Sequence, residues 1–266
     1  MQTFNGFEII VIDDGSTDDT ASVVNNFKNF DSRVSYFFQQ NSERAIARNN
    51  GVLRAKGQFL IFLDSDDSFS ESDHLSRIYE FIRDENFKEA LFFTGARIKC
   101  GDKEFLSKDY NKDEINQIDF FINESVIPAR VCLSKSIFEN FKFDDDCIVV
   151  EDTVLWTAIS DIYKVFYIPI YSVTYLLHDD NSVNIKKSNA YKKRLIGLKK
   201  LFNKYDVGSK ISFKTKQNQL NRCYLGISEF YFNNHNLFLS KLWILISIFR
   251  YPHIGLKHKL KMLLLH

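Results

Sequence analysis

The sequence predicts an α/β fold with a helical C-terminal part, and three observations carry that prediction. Short β-branched or aromatic runs alternate with helical-period segments from residue 7 to about residue 70. Two of the runs end in acidic clusters, at the strand ends where α/β sheets hold ligands. Beyond residue 181 the strand pattern gives way to basic, helical-period sequence.

Phe7–Ile12 is the first strand candidate, and Asp13-Asp14-Gly15-Ser16-Thr17-Asp18 after it reads as strand end, glycine turn and helix cap. Thr20–Phe30 has Ala21, Val24 and Phe27 at helical spacing. Val34–Phe38 is a second strand, and Ser42–Ala55 a second helix with Gly57 as its stop. Phe59–Leu63 is a continuous apolar run ending in Asp64-Ser65-Asp66-Asp67. This alternation predicts a largely parallel sheet. Leu91–Lys99 and Val165–Ile170 read as further strands, and Ser134–Phe141 and Thr153–Ile162 as helices. Tyr191–Tyr205, Gln217–Phe232, Leu237–Phe249 and Leu256–Leu265 complete the helical part. The expected division is residues 1–183 and 184–266.

Composition excludes several classes. The chain has 266 residues, with 26 Phe and 12 Tyr, which rules out a disordered chain. The net charge of +1 conceals a balance of −14 over residues 1–180 and +15 over 181–266. Cys100, Cys132, Cys147 and Cys223 are scattered without C-x-x-C spacing, so neither a disulfide framework nor a zinc site is expected, and a reducing compartment fits. The N-terminal residues lack the basic and apolar regions of a signal peptide. The apolar stretch Leu237–Phe249 is interrupted by Lys241 and falls short of the about 20 residues that span a bilayer. A cytoplasmic protein, peripheral at the inner face of the cell membrane if attached at all, is the expectation. No nucleic-acid motif accompanies the basic charge, so nucleic acid is not an expected partner.

Four elements carry candidate chemistry. Asp64, Asp66 and Asp67 crowd three carboxylates at a strand end, and such carboxylates repel one another unless a cation or donors compensate them. A hard divalent ion, Mg²⁺ or Mn²⁺, does this with oxygen ligands while keeping positions for substrate phosphates. An EF-hand is excluded because Phe69 stands where that loop needs glycine. Asp13 and Asp14 can accept from a base N–H or a ribose hydroxyl, or simply cap a helix. Arg48, within Ala47-Arg48-Asn49-Asn50-Gly51, offers a fork of donors to a phosphate or a base carbonyl. Asp152, after Glu151 at a helix start, is either a cap or a general base.

Together these segments resemble the family 2 glycosyltransferases, inverting enzymes with the GT-A nucleotide-diphospho-sugar fold. The matching residues run from Phe7-Glu8-Ile9-Ile10-Val11-Ile12-Asp13-Asp14-Gly15-Ser16 through Ala47-Arg48-Asn49-Asn50-Gly51 and Phe59-Leu60-Ile61-Phe62-Leu63-Asp64-Ser65-Asp66-Asp67 to Glu151-Asp152. The resemblance covers roughly residues 3–183 and implies a Rossmann-like mixed sheet flanked by helices, with a basic helical C-terminal subdomain. It implies that Asp13, Asp14 and Arg48 bind the nucleotide and that Asp64 and Asp66 form the D-x-D pair, with Asp66 on the metal and Asp67 nearby. Glu151 belongs to the donor site and Asp152 is the base. The donor is a nucleotide-diphospho-sugar, with a UDP-sugar expected, and the acceptor a glycan or lipid-linked glycan of a bacterial surface polysaccharide. His178, in Tyr175-Leu176-Leu177-His178, falls near the pyrophosphate in this comparison, but Leu176 replaces the arginine of many members.

Family members also carry a strand and a helix before the first strand seen here. Met1-Gln2-Thr3-Phe4 resembles the end of that helix, and the expectation is an N-terminally truncated chain lacking part of the base pocket. Two competing readings follow: a truncated, inactive transferase serving as a binding subunit, and a haloacid-dehalogenase-type phosphatase, which also places D-x-D after an apolar strand. The basic helices present two readings of their own, a lid over the acidic half or a contact with an anionic membrane surface.

Overall fold

A computed structural model of the chain describes residues 2–124, 126–177 and 189–265. Its contacts divide the chain into two compact units. The first comprises residues 1–117, 126–145 and 159–177, and the second residues 118–125, 146–158 and 178–266. The segment bearing Glu151 and Asp152 groups with the C-terminal helices.

The first unit opens as the periodicity predicts. Strand β1 (Ile9–Asp14), helix α1 (Thr20–Phe30), strand β2 (Val34–Gln39), helix α2 (Glu43–Arg54) and strand β3 (Phe59–Ile61) follow in order. β1 and β2 pair in parallel, with Asp13 opposite Phe38 and Asp14 opposite Gln39. Gly15 then turns the chain at φ +87°, and a side chain there would also run into the backbone of Asn41.

Beyond β3 the unit departs from a parallel sheet. Strand β4 (Ser68–Phe69) leads into helix α3 (His74–Asp84), which buries Ile78 and Ile82. The expected strand Leu91–Lys99 is two strands, β5 (Ala90–Thr94) and β6 (Arg97–Cys100), broken at Gly95-Ala96 and assigned to different sheets. β7 (Lys103–Leu106) pairs antiparallel with β6, and the short helix α4 (Lys112–Ile115) follows. The expected helix Ser134–Phe141 is corrected: Val131–Ser134 is strand β8, and Lys135–Glu139 is only a 3₁₀ turn. The reason is a pairing the local sequence conceals, since β8 lies between β3 and β5, antiparallel to both, and Ser134 is opposite Phe59. Strand β9 (Lys164–Ile168) joins β5 in parallel, giving the order β3-β8-β5-β9. Strand β10 (Val173–Leu177) pairs with β4 and β6 in a separate four-stranded sheet, β4-β10-β6-β7, so that with the two-stranded β1-β2 there are three sheets among the described residues.

The mixed pairing explains the apolar runs. Ala90–Phe93 are fully buried, and Phe92 packs with Ile78, Ile82, Cys132 and Ile168. Strands covered on both faces read as continuous hydrophobic sequence.

In the second unit, short helix α5 (Phe120–Asn123) and helix α6 (Glu151–Ser160, up to Ala158) belong with α7 (Ala190–Lys204), α8 (Asp206–Lys210), α9 (Phe213–Asn233), α10 (Leu237–Arg250) and α11 (Leu256–Leu265). One apolar core holds Ile122, Val150, Val154, Leu198, Leu201 and Ile227. α7 and α9 approach closely where Gly226 meets the ring of Tyr191, leaving no room for a Cβ. Gly226→Ala should therefore destabilise the protein by about 1–3 kcal/mol through overpacking. Thermal unfolding checks this, and an unchanged midpoint would mean that Tyr191 can move aside.

Candidate functional site

In the first unit, β1 and the segment after β3 carry the acidic residues, and α2 carries Arg48. Asp13, at the end of β1, is buried. Its Oδ2 accepts from the Tyr36 hydroxyl at 2.6 Å and its Oδ1 from the Ser16 amide at 2.8 Å. Burial pushes this carboxyl up, but the bonds from Tyr36 and Ser16 together outweigh it and hold the pKa below the ordinary carboxylate value. The same hydrogen bond drives the Tyr36 phenol up to about 12. Asp14 Oδ1 accepts from Gln39 Nε2 at 2.7 Å and from the Ser42 amide at 2.8 Å. Asn50 in turn donates to Gln39 at 2.7 Å, so α2 braces the β2 residue that braces Asp14.

α2 also grips the second acidic cluster. Arg48 is buried, and its Nη2 donates to both oxygens of Asp64, at 2.7 and 2.8 Å. Its guanidinium lies 5.4 Å from the centre of the Phe143 ring. The neighbouring Asn49 fixes that loop through a reciprocal pair, donating to the Phe143 carbonyl at 2.8 Å and accepting from its amide at 2.9 Å. Phe143 packs edge-on against Phe62, two residues before Asp64. Arg48 and Asn49 thus tie the helix to both sides of the D-x-D segment.

Asp67 completes the cluster. Its amide donates to the Asp64 carbonyl at 3.0 Å, closing a turn, while its Oδ1 is buried without a hydrogen-bond partner. Burial first, then the charges of Asp64 and Asp66, push its carboxyl up to about 7 against the opposing pull of Arg48. Among the described residues no three His, Cys, Asp or Glu side chains converge on a cation position. The donor set nevertheless suits a hard divalent ion. Asp67 offers an orphaned oxygen, Asp66 is an adjacent carboxylate, and the remaining ligands would be water and substrate phosphate.

In the second unit, Glu151 and Asp152 form the first turn of α6; Glu151 is buried and Asp152 half-buried. Asp152 Oδ1 accepts from the Thr153 amide at 2.6 Å. Thr153 also lines a cleft of about 200 Å³ with Tyr191, Arg194 and Arg222. The expected phosphate-side residue His178 lies outside the described residues.

The sequence points to the carboxylates and Arg48 but not to Tyr36 and Gln39, which hydrogen-bond to Asp13 and Asp14, nor to the bonds of Asn50 to Gln39 and Asn49 to Phe143. Asn49 and Asn50 sit inside the quoted motif, whereas Tyr36 and Gln39 read as ordinary strand residues. A folded carboxyl with a depressed pKa stabilises the protein above its unfolded value, near 3.8, and loses that contribution as pH falls through the folded pKa. Tyr36→Phe should therefore be less stable than the parent at neutral pH, with the difference narrowing below about pH 4. Denaturant unfolding at several pH values checks this; a difference independent of pH would show that Asp13 is not the partner that matters.

The sequence pattern of Glycosyl transferase family 2 matches residues 1–141, just over half of the chain and including every acidic residue of the first unit's site. The chain is 36% identical over 198 residues to a GalNAc(5)-diNAcBac-PP-undecaprenol beta-1,3-glucosyltransferase of Campylobacter jejuni. That match takes in 72% of this chain and 62% of the relative, so the chain spans less than two thirds of that protein's length. Two solved structures share the fold. They are S. aureus TarS residues 1–349 (TM-score 0.54, 17% identity, 94% of this chain and 80% of that one) and the Pyrobaculum calidifontis mannosyltransferase PcManGT in complex with GDP-Man and Mn²⁺ (TM-score 0.52, 15% identity, 97% and 71%). The mixed sheet, the braced acidic strand ends and these matches lead to one conclusion: the chain belongs to glycosyl transferase family 2 and has a GT-A-like fold.

Proposed function

We propose that the chain transfers a hexosyl or N-acetylhexosaminyl group from a nucleotide-diphospho-sugar, a UDP-sugar, to a glycan or lipid-linked acceptor with inversion, in bacterial surface polysaccharide synthesis. The observation that carries the reading is the braced acidic cluster, with Asp64 locked to Arg48 and an orphaned Asp67 oxygen beside Asp66. A phosphatase of the haloacid-dehalogenase type would need Asp64 as a free nucleophile, whereas both its oxygens are engaged by Arg48.

Asp13 and Asp14 are held as acceptors at the end of β1, suited to a base N–H and ribose hydroxyls. Asp66 and Asp67 would hold Mg²⁺ or Mn²⁺, and Arg48 keeps Asp64 from adding its full charge to theirs. A bound divalent ion there supplies Lewis-acid neutralisation of the charge developing on the departing diphosphate. Glu151 belongs to the donor side in this reading. The Asp152 carboxylate takes the proton of the acceptor hydroxyl as that hydroxyl's oxygen bonds to the anomeric carbon. The bond from that carbon to the phosphate oxygen breaks on the opposite face, and the nucleoside diphosphate leaves with the electron pair. A lipid-linked acceptor would bring the protein to a membrane surface; among the described residues no helix is long and apolar enough to cross one.

Asp152→Asn retains the hydrogen bond from Thr153 but cannot take the proton. It should lower kcat by about 100-fold or more with the donor KM nearly unchanged. Nucleoside diphosphate release measures this, and a loss confined to donor KM would remove Asp152 from the role of base. Chelation of divalent cations should abolish transfer, and added Mn²⁺ should restore it. A chain that binds donor but transfers nothing under any cation would be the binding subunit instead.

A further inference from the structure

α10 is apolar on two sides. Its inner face holds Ser240, Ile244 and Ser247, all fully buried, with Trp243 and Ile246 packed against the second unit's core. The Ser240 carbonyl accepts from the Ser228 hydroxyl of α9 at 3.0 Å, and the Ser247 hydroxyl donates to Asn221 Oδ1 at 2.7 Å. Its outer face holds Phe238, Leu242, Leu245 and Phe249, spaced four, three and four residues apart on one side of the helix. These are exposed by 76%, 39%, 50% and 88%. The side turned to solvent thus carries an apolar stripe, as does the side packed on the protein, unlike a surface helix with one apolar face.

α11 repeats the pattern. Leu256, Leu260 and Leu264 form an exposed stripe at four-residue spacing, with Lys257 and Lys261 beside it. The two helices are joined by Lys259, a buried lysine whose Nζ donates to the Ser247 carbonyl at 3.0 Å and the Tyr251 carbonyl at 2.6 Å. It satisfies carbonyls at the C-terminal end of α10, where a cation is favoured. From residue 230 to 266 there is no Asp or Glu, while Lys241, Arg250, Lys257 and Lys261 are all exposed. Apolar side chains flanked by cations, with no compensating acid, complement a surface of anionic headgroups over acyl chains.

We propose that the outer faces of α10 and α11 form a docking surface for an anionic lipid bilayer, with Phe238, Leu242, Leu245 and Phe249 entering the interface and the four exposed cations on the headgroups. The physical case stands on the exposed faces alone. Its meaning for acceptor access rests on the transferase reading.

Co-sedimentation of the full chain with vesicles tests it, with no donor or acceptor present, so that the outcome is independent of transfer. The chain should sediment with mixed phosphatidylcholine–phosphatidylglycerol vesicles, weakly with phosphatidylcholine alone, and less as salt rises. Leu245→Glu with Phe249→Glu should weaken binding by about 100-fold or more. Each of Lys241→Gln, Lys257→Gln and Lys261→Gln should weaken it about fivefold. These positions are exposed, and circular dichroism confirms that the variants fold. No sedimentation with the anionic vesicles, or unchanged binding by both sets of variants, would overturn the proposal. So would a dimer of the parent chain that the double glutamate variant splits, because that face would then be protein-covered. Loss of transfer by Asp152→Asn with vesicle binding intact would separate the two readings.

Discussion

The ion pair between Arg48 and Asp64 is the contact on which the first unit's acidic site depends. Three carboxylates within four residues cannot remain ionised together near a strand end without compensation. Arg48, itself buried beside Phe143, compensates one through a forked, charge-assisted hydrogen bond. The residual strain falls on Asp67, whose carboxyl is driven up towards neutrality and whose buried oxygen lacks a donor. An arrangement that compensates one charge and leaves the others poised is suited to a divalent cation that arrives with a diphosphate.

The same helix sets the geometry of both strand ends. α2 places Arg48 on Asp64, Asn49 on the Phe143 loop and Asn50 on Gln39, which reaches Asp14. Three consecutive side chains therefore connect two acidic clusters distant in sequence. The motif Ala47-Arg48-Asn49-Asn50-Gly51 is a scaffold as much as a ligand set, and the nucleotide contact expected of Arg48 is joined by a structural duty to Asp64.

Much of this was legible in the sequence, for identifiable reasons. β1, α1, β2, α2 and β3 each carry a clear period bounded by a glycine or acidic turn, and each is found within a few residues of its expected place. The pairing partners were not legible. β8 is a four-residue apolar strand whose identity comes from β3 and β5 on either side, so local sequence favoured a helix at Ser134–Phe141. Tyr36 was silent because a strand tyrosine has many uses, and only the parallel register of β2 with β1 brings it to Asp13. The amphipathic stripe of α10 was visible, but which face points outward is decided by the serines that hydrogen-bond to α9 and Asn221.

The central claim is that the cluster at residues 64–67 takes a nucleoside diphosphate together with a divalent cation. Calorimetric titration of UDP into the full chain, with and without Mn²⁺, tests it most directly. The account predicts binding that appears only with the cation and disappears in Asp66→Asn. Binding of equal strength without cation, or unaltered by that substitution, would contradict it.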